Sequence, residues 1–361
     1  MSPAQLGSRP DRPVRPSLLE GLFGGGGRPG PPDRPIFVFG CPRSGATLLR
    51  VMLHSHHRIA IPTETKFVVP AYTARFEFGD LDVSENRRAL ADWLTGRKQT
   101  RFHALGLDAA EVTEQIVAGP PTLGSALAAV FHAYARKCGK ARWGDRRPSY
   151  ARHVGTLLRM FPDAQFVHLV RDGRDCVASL REMPWYEHDV HHAISVWRET
   201  IDIGRRLAGR LGPDAYYELQ YERLIADPAD ELIRLCEFLG EDFDPAMTQP
   251  HAALSGYPVP PPRGSHGRAP IASDHVGSWA ERLEPWEIAL AESAFGERLA
   301  EYGYEPSGLP KPSAARLARL GRTSAHRRMA QQKADLRERW QRRHEPGPVA
   351  SLLRAVSAEA D

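Results

Sequence analysis

Two runs of the chain carry residue types whose spacing suits the binding of phosphate-like anions. The first is Gly40-Cys41-Pro42-Arg43-Ser44-Gly45-Ala46-Thr47-Leu48-Leu49. A glycine-bearing turn that leads into a helix start exposes backbone N–H groups, and the helix dipole favours negative charge there. Arg43 adds a planar fork suited to bidentate contact with an oxyanion. The second run is Arg171-Asp172-Gly173-Arg174-Asp175 continuing to Ser179. It too is a charged turn that opens a helix, and Ser179 falls about two turns along it. Arg171 and Ser179 can share one anion only if that helix passes beside it. The plainer readings are a glycine turn with Arg43 on the surface, and an arginine–aspartate ion pair in solvent.

Both runs follow apolar segments that predict strands: Ile36-Phe37-Val38-Phe39 and Phe166-Val167-His168-Leu169-Val170. Ala215 to Leu219 predicts a third strand. Apolar spacing of three and four predicts helices over 126–137, 191–211 and 230–239. Pro228 suits a first helical turn, and Gly240 a left-handed stop. Strands alternating with helices imply parallel βαβ units in an α/β fold, a P-loop-type central parallel sheet flanked by helices. Such sheets place ligands at the carboxyl ends of their strands, where both charged turns lie. Against the pattern GxxxxGK[ST], the first turn matches at Gly40, Gly45 and Thr47. Ala46 stands in the lysine position and cannot reach a γ-phosphate, so an ordinary ATPase is disfavoured.

The chain has 361 residues, 42% hydrophobic and 25% charged, which excludes a fibre, a collagen or a wholly disordered protein. Residues 1–34 are rich in Pro and Gly and predict a disordered leader; 35–310 form the body, and 311–361 a basic helical tail. The net charge of +4 hides +8 between Lys311 and Glu345, so the body itself is slightly acidic and no nucleic acid partner is expected. Four separated cysteines, without CxxC, read as reduced thiols, and neither zinc nor another metal is expected. His54, His56 and His57 read as packing or exposed residues. No apolar run is long enough to span a membrane, and the N-terminus is too broken for a signal peptide, so the expected address is cytoplasmic. Residues 250–272 predict a long loop.

The two charged runs resemble those of sulfotransferases that use 3′-phosphoadenosine-5′-phosphosulfate (PAPS). Pro42 to Leu49 is similar to their 5′-phosphosulfate loop, and Val170 to Ser179 to their 3′-phosphate motif. The pattern is nearest the tyrosylprotein branch and its bacterial relatives, and it extends roughly from Arg34 to Leu309. The resemblance implies that Arg43, Ser44, Gly45, Ala46, Thr47, Leu48, Arg171, Ser179 and Tyr221 bind the nucleotide, Tyr221 through Tyr221-Glu222-Arg223-Leu224. It implies further that Glu64, in Ile61-Pro62-Thr63-Glu64-Thr65-Lys66, is the catalytic base. In Trp143-Gly144-Asp145-Arg146-Arg147-Pro148, Arg146 takes the place of an essential lysine; an ion pair with Asp145 is the plainer reading.

The chain departs from the family pattern in three places. Ala46 replaces a threonine and removes a hydroxyl while keeping the backbone N–H. Arg146 can stabilise charge but cannot act as an acid at neutral pH. Ser278-Trp279 stands where the tyrosylprotein branch has lysine before tryptophan. The expected reaction is sulfuryl transfer from PAPS to a hydroxyl of a small molecule, glycan or protein, releasing adenosine 3′,5′-bisphosphate, with Arg43 and Arg146 stabilising charge. The rival readings are a non-catalytic nucleotide-binding protein and a divergent phosphoryl-transfer enzyme. For the tail, a helix packed beside the body or a second subunit (a homodimer) is preferred over a basic surface for acidic lipid, protein or glycan.

Overall fold

The computed structural model describes residues 34–63, 65–249 and 276–352, all within one compact unit spanning 33–361. The leader, the loop expected at 250–272 and Glu64 lie outside the described residues. Five parallel strands form the sheet: β1 (Ile36–Gly40), β2 (Ile59–Ala60), β3 (Arg142–Arg146), β4 (Gln165–Val170) and β5 (Tyr216–Gln220). Their spatial order is β2-β3-β1-β4-β5, so the chain runs out to one side of β1 and returns on the other. The reversal puts a crevice at the carboxyl ends of β1 and β4, which pair in register from Ile36↔Gln165 to Gly40↔Leu169.

Side chains alternate across the sheet and split the core in two. Phe37, Phe39 and Phe166 join Trp143, Phe131 and Phe161 on one face. Phe131 stacks on Trp143 with centroids 4.5 Å apart. Ile36, Val38, Val167 and Leu169 join Leu49, Leu53, Leu232 and Leu235 on the other. The longer helices are α1 (Ala46–Ser55), α2 (Ser84–Gly96), α3 (Ala109–Ala118), α4 (Leu123–Lys137), α5 (Gly173–Arg181), α6 (Val190–Leu211), α7 (Pro228–Leu239), α8 (Pro285–Phe295) and α9 (Ala314–Gln341). Three had been expected as helices over 126–137, 191–211 and 230–239. Gly240 closes α7 at φ 74°, the left-handed stop its position called for.

Two strands went unread in the sequence. β2 is only two residues long. β3 reads Arg-Trp-Gly-Asp-Arg, which looks like a polar loop, yet its first four residues are buried. Distant partners satisfy its charges. Arg142 donates to the Leu239 carbonyl (2.7 Å) and pairs with Glu241 (3.1 Å). Asp145 accepts from the Thr65 hydroxyl (2.5 Å) and from Tyr150.

The C-terminal region is tied to the body. α9 lies along α6, where Ser195 and Ser324 share a hydrogen bond of 2.8 Å and Leu320 is buried. Beyond α9 the chain straps over Arg75 and Arg159, which pair with Glu338 and Glu345. It then reaches α4, where Gly124 N donates to the Val349 carbonyl (2.8 Å) and Leu352 N to the Ser125 hydroxyl (2.8 Å).

Candidate functional site

The turn after β1 uses the left-handed region twice, at Arg43 (φ 73°) and at Gly45 (φ 95°). Such a conformation is uncommon for a non-glycine residue and marks a shape imposed by its surroundings. Gly45 is also the N-cap of α1 and brings no side chain to cap it, which leaves the first-turn amides of Ala46 and Thr47 open to a ligand, while that of Leu48 donates to the Gly45 carbonyl (2.9 Å). A Cβ on Gly45 would lie 2.4 Å from the Tyr221 ring. The turn is therefore closed from above by the residue that follows β5.

The second charged turn lies against the first. Arg43 Nε donates to Ser179 Oγ (2.9 Å), so α5 does pass beside the loop as shared anion binding requires. Arg171 Nη1 donates to the Arg43 carbonyl (3.1 Å), and its guanidinium lies 4.7 Å from the centre of the Tyr221 ring. Arg171 is buried and pairs with Asp175 at 3.6 Å. Arg43, Ser44, Gly45, Arg171, Ser179 and Tyr221, which are scattered through the sequence, thus meet in one place. Ala46 is buried at the start of α1, and Thr47 and Leu48 are half-buried beside it.

Electrostatics single out Arg43. Burial lowers the pKa of its guanidinium, and the neighbouring charge of Arg171 lowers it further, with Arg282 adding to the effect. Like charges brought together in a partly buried crevice create a place for an anion. The Ser44 hydroxyl adds to this: it is buried and has no hydrogen-bond partner among the described residues.

The other residues of the second turn build structure. Asp172 caps α5 at Arg174 N (2.8 Å) and is gripped by the Arg174 guanidinium, which also reaches Glu292 (2.7 Å) and stacks over Trp279 (3.9 Å). Asp175 accepts from Gly277 N (2.9 Å), the Ser278 hydroxyl (3.2 Å) and Trp279 N (2.9 Å), so it fastens the Ser278-Trp279 segment to α5.

At the end of β3 the segment that contains Glu64 is pinned at its next residue. Thr65 is buried; its hydroxyl is held by Asp145 and its carbonyl accepts from Arg147. Asp145 is thereby committed to Thr65 and Tyr150. Arg146 is half-buried at the strand end and close enough to Arg50 to depress its pKa. Arg50 itself escaped the sequence reading. Burial, then Arg146, lowers its pKa to about 10, and one of its nitrogens donates to the Ile61 carbonyl (3.3 Å). The available signal was an arginine inside the apolar run Leu48-Leu49-Arg50-Val51-Met52-Leu53. Arg282, another residue the reading missed, is held by Glu182 in a two-pronged pair (2.7 and 2.6 Å).

Next to this strand end opens a cleft of about 790 Å³, lined by Lys66, Val69, Pro70, Trp93, Arg97 and Arg147 among others. The three histidines after the first turn serve the fold. His54 accepts from Ile61 N (3.1 Å), His56 bonds the Asp242 carbonyl (2.9 Å), and exposed His57 pairs with Asp244 (2.9 Å). Among the described residues no group of His, Cys, Asp and Glu is placed to hold a metal. All four cysteines are free thiols.

The sequence profile of the sulfotransferase family matches residues 35–245. The chain is 23% identical over 315 residues to the protein-tyrosine sulfotransferase of Drosophila melanogaster, covering 83% of this chain and 58% of that one. It is 26% identical over 288 residues to protein-tyrosine sulfotransferase 2 of Gallus gallus, covering 76% and 70%. In fold it is similar to the sulfotransferase domain of the Synechococcus PCC 7002 olefin synthase, with a TM-score of 0.51 and 26% identity over 73% of this chain and 95% of that domain.

These relatives overturn the cytoplasmic address. Protein-tyrosine sulfotransferases are membrane-anchored enzymes of the Golgi. That no described helix is long and apolar enough to cross a membrane assigns no compartment in its place. With its profile match covering more than half the chain and the two charged turns meeting at one sheet edge, the protein belongs to the sulfotransferase family.

Proposed function

We propose that the protein transfers a sulfuryl group from PAPS to the hydroxyl of an acceptor and releases adenosine 3′,5′-bisphosphate. The observation that carries this reading is the junction of Arg43, Ser179, Arg171 and Tyr221, in which two guanidiniums crowd one crevice. A nucleotide with anionic groups at two positions meets the needs of that junction. The orphaned Ser44 hydroxyl and the uncapped start of α1 suit the phosphosulfate. Arg171 and Ser179 suit the 3′-phosphate, with Tyr221 at the nucleotide. Bound there, PAPS would supply the activated sulfur.

Glu64 takes the proton of the acceptor hydroxyl as the new oxygen–sulfur bond forms. The electron pair of the breaking bond remains on the phosphate oxygen, where Arg43, the amides of residues 45–47 and Arg146 stabilise the charge. The cleft lined by Lys66, Trp93, Arg97 and Arg147 lies beside the pinned Thr65 and is the natural berth for the acceptor. Its cationic and aromatic walls favour an acceptor that carries negative charge near the reacting hydroxyl.

The test is incubation of the purified protein with sulfur-labelled PAPS and a panel of hydroxylated acceptors. Label should appear on at least one acceptor, and calorimetry should detect adenosine 3′,5′-bisphosphate but not ATP. Glu64→Gln should lower turnover by about 10²–10⁴-fold with unchanged nucleotide affinity. Nucleotide binding with no transfer, together with an indifferent Glu64→Gln variant, would instead assign a non-catalytic role. Magnesium-dependent ATP consumption would assign phosphoryl transfer.

A further inference from the structure

α9 holds the body with one face and turns an unusual face outward. Leu320, Ser324, Arg327 and Glu338 point inward: Arg327 pairs with Glu199 (2.8 Å), and Glu338 bonds Tyr72 and Arg75. At about 100° per residue, Met329, Leu336 and Trp340 fall within roughly 40° of one another on the opposite side. A packed helix ordinarily presents polar residues there. These three are instead 53%, 64% and 63% exposed.

Cations border them. Arg322, Lys333, Arg337, Arg339 and, just past the helix end, Arg343 are all exposed, and none forms an ion pair with an acid among the described residues. The helix has two acids of its own. Glu338 is spent on the body, and Asp335 lies at the edge, bonded by Gln331 (2.9 Å). The outward arc is thus apolar along its middle, and cations outnumber the single acid, Asp335, at its margins.

We propose that this face of α9 docks on the surface of an anionic lipid bilayer, with Leu336 and Trp340 entering the boundary between headgroups and acyl chains and the arginines meeting lipid phosphates. Charge and apolarity together select this occupant. A second copy would set one cationic arc against another. A nucleic acid would take the charge but leave Met329, Leu336 and Trp340 in water. A bilayer accepts both, and tryptophan is favoured at its interface. The helix is about 42 Å long and fixed to the body, so it would lie flat and carry the enzyme with it.

The experiment is co-sedimentation of the full chain with phosphatidylcholine vesicles containing about a third phosphatidylglycerol, beside vesicles of phosphatidylcholine alone. Binding to the anionic vesicles should exceed binding to the neutral ones and weaken as salt rises. Replacing Arg337→Gln together with Arg343→Gln should lower the affinity about 30-fold. Leu336→Gln with Trp340→Gln should lower it about tenfold or more. All four side chains are exposed, so melting temperature and nucleotide binding should match the parent. Absence of binding to anionic vesicles, or parent-like binding by both variants, would overturn the proposal. So would self-association in the ultracentrifuge that the same variants abolish, or duplex DNA bound more tightly than the vesicles.

Discussion

The protein holds two clusters of arginines that differ in their company. Around Arg75 and Arg159, acids and a phenol interleave with the cations: Glu338, Glu345 and Tyr72 close every gap, and the Arg159 guanidinium is held above its usual pKa by Glu345. Around Arg43 and Arg171 the cations face each other, and the Arg43 pKa is pushed down. One cluster is complete in itself and serves to tie the C-terminal strap to the body. The other crowds like charges together, and it is there that we propose an anion binds. On that reading, the sign of the mutual charge effect distinguishes Arg159 from Arg43.

The difference can be broken from either side. Arg75 is buried, and Arg75→Ala would take one of two arginines from Glu338 and Glu345 and leave them to Arg159; a loss of about 1.5–3 kcal/mol of stability is expected in denaturant melts, with nucleotide affinity unchanged. Arg43→Ala should behave in reverse. Turnover should fall about 10²–10³-fold, a loss of about 2.7–4 kcal/mol at the transition state, while the melting temperature without nucleotide stays level or rises. If both variants lost stability equally, the distinction would fail.

A smaller effect sharpens the contrast through pH. Burial lowers His54 to about 3 and His132 and His192 to about 4, whereas the unfolded chain protonates near 6.5. The unfolded state then binds more protons across that window, so melting temperature should decline as pH falls from about 6.5 toward 4. Below about 4.5 Glu345, whose pKa is lowered by Arg159 and Arg75, adds a further loss as it is protonated. That last step should be smaller in Arg75→Ala, where Arg159 alone still lowers the Glu345 pKa. A melting temperature flat from neutral pH to 4 would contradict the assignment of these histidines as neutral.

The sheet edge was legible because apolar strands ended abruptly in glycine and charge. Ile36–Phe39 and Phe166–Val170 announced both their burial and their terminal turns, and the turns proved to be neighbours. What stayed hidden depends on partners far away in the chain. β3 is a strand because Glu241, Gln165, Thr65 and Tyr150 complete its polar groups, and local pattern holds no trace of them. The strap is held by Arg159 and Glu345, separated by 186 positions. Arg50 was overlooked because a single cation in an apolar helix reads as an exposed interruption rather than as a buried charge.

Gly45 and Tyr221 leave no room between them, so the turn after β1 and the end of β5 form one rigid seat. A guest arriving there would not have to organise its host. Heat released on association would go into new contacts rather than into freezing a floppy loop, and calorimetry should record a small entropic penalty for the protein's own chain. Widening that seat by trimming the tyrosine to leucine should reinstate the penalty.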